Sequence, residues 1–316
     1  MTAHPPPAQP WSWPEALPTP LSRPPGARDA AGRTDADLAA GRADPRSRVL
    51  VLHGDAAPLT SDRLALHLVT PTEVPDGAQW MVLGRRDGVA VLGAAFPADA
   101  DEPVPADRWA RLREVGGELD RDSAGLFVQA LALGQWLIGA PHCAACGTRT
   151  HVENGGWSRR CPCGREHFPR TDPAVIVAVE SADGERLLLG SNAMWGQGRY
   201  SCFAGFVEAG ESLEATVERE IAEECGIRVA HVAYRGSQAW PYPRSLMLGF
   251  RARAARDDDA RADGDEIVQV RWFTRDQMRA ALAGESDATM PGAASIARSL
   301  IVDWLENPAG TGTGRS

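Results

Sequence analysis

The segment from Gly205 to Ile227 constrains the fold of this chain more than any other stretch. It reads Gly-Phe-Val-Glu-Ala-Gly-Glu-Ser-Leu-Glu-Ala-Thr-Val-Glu-Arg-Glu-Ile-Ala-Glu-Glu-Cys-Gly-Ile, a glycine-bounded loop followed by a helical pattern. Glu220, Glu223 and Glu224 have the i, i+3 and i+4 spacing that places side chains on one helix face. Clustered carboxylates repel one another, and oxygen ligands at this density suit Mg²⁺ or Mn²⁺. An ordinary acidic amphipathic helix is the alternative interpretation.

Composition limits the classes of function. The chain has 316 residues, which suits about two domains, and a net charge of −9, which argues against a binder of duplex DNA. The acidic balance also gives no general steering of a phosphate substrate, so attraction has to be local. We see neither a signal peptide nor an apolar run approaching ~18 residues, so we expect a cytoplasmic protein without a membrane partner.

Four of the six cysteines fall in one short segment, as Cys143-Ala-Ala-Cys146 and Cys161-Pro-Cys163. Two close pairs joined by a short hairpin are the spacing of a zinc ribbon, with one Zn²⁺ per chain. Four thiolates close the coordination sphere, which predicts a structural ion. The second pair is one residue tighter than the usual Cys-x-x-Cys. Four unbound buried cysteines, or a ribbon that binds nucleic acid through nearby arginines, are the alternatives.

Within this segment, glycine, glutamate and arginine residues follow one order, which is Gly205, Glu211, Arg219, Glu220, Glu223, Glu224 and Gly226. This order resembles the Nudix box without a gap. Nudix proteins hydrolyse a nucleoside diphosphate linked to a second moiety. The resemblance implies that Glu220, Glu223 and Glu224 hold catalytic Mg²⁺ or Mn²⁺. It also implies that Glu211 pairs with Arg219, and that the two glycines support the local structure.

A second motif, Ser237-Gln-Ala-Trp-Pro-Tyr-Pro-Arg-Ser245, lies downstream. Its prolines predict a rigid surface loop, either a turn with one buried Trp or a binding loop. It resembles the Ser-Gln-Pro-Trp-Pro-Phe-Pro-x-Ser motif of the NADH pyrophosphatase subfamily, whose members carry an N-terminal domain, a zinc ribbon and a Nudix domain. The resemblance implies hydrolysis of NADH or NAD⁺ to nicotinamide mononucleotide and AMP, removal of NAD caps from RNA 5′ ends, and a homodimer.

The same resemblance implies further site residues. Glu266 is expected to complete the metal site, although it could also act as the general base or be one of several solvated acids. Phe168 and Phe206 match two aromatic residues that stack on nicotinamide, with core packing as the alternative. The other residues expected at the substrate are Ser237, Gln238, Trp240 and Ala297.

The predicted fold class is α/β, a Nudix α/β/α sandwich with a zinc-ribbon insert and a smaller N-terminal α+β domain. We expect a disordered Pro-rich tail over 1–34, the N-terminal domain over 35–140, the ribbon over 141–168, the Nudix domain over 169–305 and a tail over 306–316. Apolar patterns predict helices over 110–117, 123–139 and 293–305, and strands over 64–69 and 200–206.

Two competing functions are considered. The first is a Nudix hydrolase of another dinucleotide, such as ADP-ribose or a diadenosine polyphosphate, against which the 237–245 motif argues. The second is a Nudix-derived regulator that binds a nucleotide without cleaving it, against which the intact glutamates argue. A ribbon serving as an RNA platform is compatible with NAD-cap removal, because a capped RNA presents the same pyrophosphate.

Overall fold

The computed structural model describes residues 16–22, 31–61 and 64–307. Most of the predicted tails, at 1–34 and 306–316, lie outside the described residues. Among the residues described, no helix is both long and apolar enough to cross a bilayer.

The first group of elements forms a mixed sheet in the strand order β3-β4-β1-β2-β5 with helices on both faces. Its elements are α1 (Asp35–Ala43), β1 (Arg48–His53), β2 (Ala56–Leu59), β3 (Gln79–Arg86), β4 (Val89–Phe96), β5 (Arg108–Arg111), α2 (Leu112–Val115) and α3 (Arg121–Gly139). Side chains alternate along β1, so Val49 and Val51 face the α1 side while Leu50 and Leu52 face α3. The sheet is therefore buried on both faces, which accounts for the nearly continuous apolar sequence of β1.

Two of the predicted elements in this region are wrong. The helix predicted over 110–117 is divided between the end of β5 and the short helix α2. The strand predicted over 64–69 is absent from the described structure, where Leu66 and Val69 make only isolated bridges to Leu59 and Val49.

A small antiparallel sheet follows, made of β6 (His151–Glu153), β7 (Ser158–Arg160) and β8 (Glu166–His167). It is fixed to the first sheet by Trp157, whose indole nitrogen donates to the carbonyl oxygen of Val82 at 2.8 Å. Arg159 is buried and donates to the carbonyl oxygen of Leu137 in α3. The ribbon is therefore held against the N-terminal domain by specific polar contacts.

The third group forms a sheet in the order β12-β13-β9-β10-β14, with β11 paired to β9. Its elements are β9 (Asp172–Glu180), β10 (Arg186–Asn192), β11 (Phe203–Phe206), α4 (Leu213–Cys225), β12 (Val229–Trp240), β13 (Ser245–Ala254), β14 (Ile267–Thr274), α5 (Arg275–Ala283) and α6 (Ile296–Glu306). The strand β9 pairs with β11 through Ala174–Val177 and with β10 only near its end, at Val179 and Glu180.

Helices cover both faces of this sheet. On one face Val175 and Val177 pack in one cluster with Ile221 of α4. On the other face Ile176 packs with Leu300 of α6. The predicted α/β/α sandwich is confirmed, and the site lies where α4 meets β11.

Residues 16–22 belong to the stretch predicted as a tail, yet they lie along β12. The amide of Leu17 donates to the carbonyl oxygen of Arg235 at 2.6 Å, and the amide of Leu21 donates to the side-chain oxygen of Gln238 at 3.2 Å. The side chain of Leu21 is 2% exposed and packs in the core of the N-terminal domain. This segment therefore connects the two larger domains by packing, because its apolar side chain is removed from water.

Candidate active site

Local signals define the helix that carries the carboxylates. Ser212 caps α4 by accepting from the amide of Ala215, and Gly226 ends the helix with a φ of +71°. That left-handed conformation favours glycine at a helix C-terminus. The helix then turns Glu220 and Glu224 toward β11, while Glu223 points outward with 62% of its side chain exposed.

Gly205 allows Glu220 to lie against the backbone of β11. A Cβ atom at Gly205 would be 1.9 Å from the carboxylate of Glu220. The Glu220 side chain is only 13% exposed, and burial raises its pKa above the usual value. The requirement for glycine at this position is therefore steric, since any side chain would displace the carboxylate.

Arg219 organises the acidic side chains around it. Its guanidinium makes a bidentate pair with Glu211, at 2.6 and 2.9 Å, as predicted. A further nitrogen, Nη1, donates to Glu220 at 2.9 Å and to Glu223 at 3.1 Å. Hydrogen bonds from Arg219 lower the pKa of Glu211 to about 2, so this pair is ionised at any working pH. The pair fixes the loop before α4 to the middle of the helix.

Glu224 is the most perturbed acid of the group. Burial, followed by repulsion from Glu220 and Glu266, raises the pKa of Glu224 to about 8. The residue is 5% exposed, and its Oε2 atom has no hydrogen-bond partner among the described residues. Glu266 itself lies on the surface, where the amide of Asn192 donates to it at 3.3 Å. A buried, unpartnered carboxylate oxygen is costly unless a cation completes its surroundings.

The donor set fits a hard divalent cation. Glu220 and Glu224 lie one turn apart on α4, and the negative charges of Glu220 and Glu266 help to raise the pKa of Glu224. They are nevertheless not gathered as tightly as the thiols described below, which are the only group of three or more possible ligand atoms within 4.8 Å of one another in the described residues. The carboxylates thus line an open site, as expected when substrate oxygens also bind the ion.

Replacing Gly205 with Ala is expected to lower kcat about 100-fold without unfolding the protein. The new methyl group would overlap the Glu220 carboxylate, which is the end of a flexible side chain and can swing away from the site. Gly139→Ala is the matched control, because a Cβ there meets nothing within 4 Å. Steady-state kinetics and a melting curve test the prediction, and full activity of Gly205→Ala would contradict it.

In the presence of a chelator, thermal stability is expected to fall as the pH rises from 4.5 through about 8. The folded state raises the pKa of Glu224, so it holds a proton that the unfolded chain releases, and this stabilisation is lost as pH passes the folded value. Glu224→Gln is expected to flatten that part of the profile, and added Mg²⁺ to restore stability at pH 8. Melting temperatures measured across the pH range provide the test. The same dependence of melting temperature on pH in both proteins would contradict the prediction.

A cavity of about 320 Å³ lies on the α6 side of the sheet, lined in part by Ile176, Met247 and Ile296. Strand register places one member of this wall, Met247, in a row across the sheet, because Phe206 lies opposite Ala174, Ala174 opposite Met247, and Met247 opposite Gln238. Residues directly opposite one another point to the same face. Gly205 faces α4, so the carboxylates and the cavity lie on the two sides of β11, one residue apart.

The predicted substrate residues of the 237–245 motif have different surroundings. Trp240 lines the cavity and packs on Tyr242, with ring centroids 5.0 Å apart. Gln238 is fully buried, and its amide donates to the carbonyl oxygen of Ala294 at 2.9 Å and accepts from Leu21. Gln238 is therefore held in place beneath the strand row that contains Met247. The motif is also a hairpin turn between β12 and β13, not a separate loop.

Two other residues predicted at the substrate, Ala297 and Ser237, do not line the 320 Å³ cavity. Ala297 is fully buried at the start of α6, within the core between α6 and the sheet. Ser237 precedes Gln238 in β12, so its side chain points to the opposite face of the sheet. Its carbonyl oxygen accepts a hydrogen bond from the hydroxyl of Thr19 at 3.0 Å. These positions shape the strand and helix behind the cavity.

Phe168 and Phe206, the two predicted stacking residues, are 58% and 57% exposed. The core-packing alternative is therefore wrong for both. Phe206 ends β11 beside the carboxylates, whereas Phe168 borders a separate cavity of about 550 Å³ next to the ribbon. No contact between the two rings is recorded in the described structure. Exposed aromatic rings of this size are candidates for contacts with a ligand or a second chain.

Sequence reasoning missed the loop between β10 and β11. Its Trp195 and Arg199 line the 320 Å³ cavity, and Asn192 binds Glu266. Gly190 to Gly198 is glycine-rich and carries a lone Met-Trp pair, which is unusual for a plain turn. That composition was the available signal, because large apolar residues in an exposed loop need an explanation.

The predicted zinc ligands come together. The Sγ atoms of Cys143, Cys146, Cys161 and Cys163 all lie within 4.8 Å of one another, and two of the separations are 3.4 and 3.9 Å. Tetrahedral Zn–S bonds place sulfur atoms about 3.8 Å apart. Gly147 and Gly164, with φ of +71° and +88°, close the two turns. The Cys-x-Cys pair therefore presents its thiols as well as the Cys-x-x-Cys pair does, and the set fits a structural zinc ion.

Comparisons with known proteins agree with both motifs. The chain matches the NADH pyrophosphatase zinc ribbon domain over residues 140–168 and the NUDIX domain over residues 170–291. It is 41% identical over 291 residues to the NAD-capped RNA hydrolase NudC of Mycobacterium tuberculosis, covering 86% of this chain and 90% of that protein. It is 38% identical over 229 residues to the protein of the same name from Stutzerimonas stutzeri, covering 72% and 78%. A crystal structure of a NUDIX hydrolase from Nitrosomonas europaea is similar with a TM-score of 0.40 and 23% identity, covering 52% of this chain and 90% of that chain.

The matched regions coincide with the elements built above from residues. The ribbon match contains the four-thiol cluster, and the domain match contains β11, α4 and the carboxylates. The long similarity to NudC also extends over the N-terminal domain, since it covers most of both proteins. The chain therefore belongs to the NADH pyrophosphatase subfamily of the Nudix hydrolases.

Proposed function

We propose that this protein hydrolyses the pyrophosphate bond of NADH and NAD⁺, giving nicotinamide mononucleotide and AMP, and removes NAD caps from RNA 5′ ends. The observation that carries the proposal is the meeting of the buried carboxylates and the exposed ring of Phe206 at the end of β11. A pyrophosphate needs the first feature and a flat nicotinamide ring the second. The relatives from Mycobacterium tuberculosis and Stutzerimonas stutzeri are NAD-capped RNA hydrolases, which supports the same substrate class.

The carboxylates would hold the catalytic cation, which we propose to be Mg²⁺ or Mn²⁺. The ligands would be Glu220, Glu223, Glu224 and Glu266, of which Glu224 has the unpartnered oxygen. A bound divalent cation supplies Lewis acidity toward the phosphate oxygens and the attacking water. Arg219 keeps Glu220 and Glu223 in place through its Nη1 atom, and Glu211 holds Arg219. Arg219 thus positions the ligands of the site.

We also propose a homodimer located in the cytoplasm. Phe168 and Phe206 each expose more than half of a large apolar ring, and a second copy of the chain or the substrate would cover them. Four reduced thiols that suit zinc fit a reducing compartment. Light scattering on a size-exclusion column gives the mass in solution, and a mass near 33.8 kDa would contradict the dimer.

A substrate panel tests the proposed function. Purified protein with Mg²⁺ or Mn²⁺ is given NADH, NAD⁺, ADP-ribose, a diadenosine polyphosphate and NAD-capped RNA, and kcat/KM is compared. The highest values are expected for the NAD compounds. Cleavage restricted to ADP-ribose or the diadenosine compound would change the proposed substrate but would still support a hydrolase. Nucleotide binding without cleavage would favour the regulator, although the complete set of glutamates opposes it.

A further inference from the structure

The loop between β10 and β11 is tied directly to the catalytic carboxylates. The amide of Ala193 donates to the carbonyl oxygen of Glu266 at 2.9 Å, and the side chain of Asn192 donates to its carboxylate. Trp195 then closes a turn by donating its amide to the carbonyl oxygen of Asn192 at 3.0 Å. The backbone of Trp195 is therefore positioned relative to Glu266 by these contacts, and its side chain lines the 320 Å³ cavity.

Trp195 and Arg199 form an exposed aromatic and cationic pair. The guanidinium carbon of Arg199 lies 5.3 Å from the centroid of the Trp195 ring, and the indole is 36% exposed. Within the described ranges of the chain, no carboxylate lies within 4.0 Å of Arg199. Arg113, at the same cavity, is instead paired with Asp55 at 3.3 Å. Arg199 is thus the guanidinium of this cavity that is free to bind an added anion.

The Trp195 and Arg199 pair has the chemical groups that bind a nucleotide. An exposed indole offers a stacking surface to any base, and a guanidinium offers a fork of donors to a phosphate. The cavity that both residues line, about 320 Å³, suits one ring and its sugar. Because the chain carries a net charge of −9, an unpaired arginine next to the site is a local attraction that the overall surface does not provide.

We propose that Trp195 and Arg199 form a subsite for the RNA chain that follows the NAD cap. Trp195 stacks on a base, and Arg199 binds the first phosphate beyond the adenosine. This inference rests on the proposed function. Free NADH carries only the one pyrophosphate that the carboxylate site requires, whereas a capped RNA brings an additional phosphate that follows the adenosine. The pair would therefore discriminate in favour of capped RNA.

The test compares NADH with a short NAD-capped RNA on the full-length protein. Arg199→Gln is expected to lower kcat/KM for the capped RNA about tenfold more than for NADH, mainly through KM, because a charge-assisted hydrogen bond is lost. It is also expected to reduce the salt dependence of RNA binding by about one phosphate contact. Arg279→Gln is the matched control, since Arg279 is exposed on α5 and paired with Asp276.

A binding measurement separates the subsite from catalysis. In a Glu223→Gln background, Trp195→Ala is expected to weaken binding of the capped RNA roughly tenfold through lost stacking. Met194→Ala is the control within the same loop, because Met194 is 90% exposed and does not line the cavity. Melting curves exclude unfolding of each variant.

The outcomes distinguish failure of the proposed subsite from failure of the proposed hydrolase activity. Equal losses for NADH and capped RNA in Arg199→Gln, or no loss for either, would overturn the subsite while leaving the hydrolase in place. A wild-type protein that cleaves neither compound would overturn the proposed function. In that case the binding measurement still decides the subsite, because unchanged affinity of the Trp195→Ala variant for capped RNA would refute it.

Discussion

Glu224→Gln is expected to reduce kcat by about 100-fold or more while leaving the metal-free protein at least as stable at pH 8. The amide removes a negative ligand, so the cation is held less well. It also removes a charge from a position that is 5% exposed and has an unpartnered oxygen, so folding loses nothing when no cation is present. Opposite effects on activity and stability are the signature of a ligand kept for function.

Steady-state kinetics at saturating Mg²⁺ and a melting curve with a chelator measure the two effects. The matched control is Glu218→Gln, which makes the same chemical change on an exposed position of α4. Wild-type activity in the Glu224 variant would remove this residue from the site. A large loss of stability without metal would instead assign it a structural role.

Cys161→Ser is expected to remove zinc from the protein and lower the melting temperature by roughly 5–10 °C. Cys161 is buried, and its sulfur lies 3.4 Å from that of Cys146, so the site loses one of four ligands. Hydrogen bonds from Thr148 lower the pKa of Cys146 to about 6, which favours the thiolate that a zinc ion needs. A serine hydroxyl does not replace a thiolate at neutral pH.

Zinc analysis by mass spectrometry should give one ion per wild-type chain and close to none in the variant. The control is Cys225→Ser, since Cys225 lies in the helix α4 and donates to the carbonyl oxygen of Ile221, away from the cluster. A wild-type protein without zinc, or an unchanged zinc content in Cys161→Ser, would contradict the assignment of the ribbon.

The parts of the site that the sequence predicts well are those set by short-range geometry. The helix α4 could be placed because the N-cap Ser212, the glycine Gly226 and the carboxylate spacing all act within one segment. The pairing of Glu211 with Arg219 spans eight positions and follows from the same segment. The zinc cluster is also local, because each pair of thiols lies on one tight turn.

The parts that could not be predicted depend on strand register and on long-range packing. The row from Phe206 to Gln238 crosses four strands, so its members share a face only once the pairing is known. The hydrogen-bond partners of the buried Gln238 are Leu21, 217 positions away along the chain, and Ala294. The exposure of Phe168 could not be separated from core packing for the same reason.

The wrong helix over 110–117 has a local cause. Leu112 and Val115 are apolar three positions apart, which suits a helix, and both are buried, as is Ala110. Pairing of Ala110 with Ala57 in β2 instead extends the chain into β5, and only the last part turns into α2. Tertiary pairing therefore overrode the helical pattern.

The measurement that tests the central claim most directly is product analysis of NADH hydrolysis in water labelled with ¹⁸O. With Mg²⁺ or Mn²⁺, the account predicts reduced nicotinamide mononucleotide and AMP in equal amounts, with one ¹⁸O atom in the phosphate of one product. Release of nicotinamide, or intact NADH that stays bound, would contradict cleavage at the pyrophosphate.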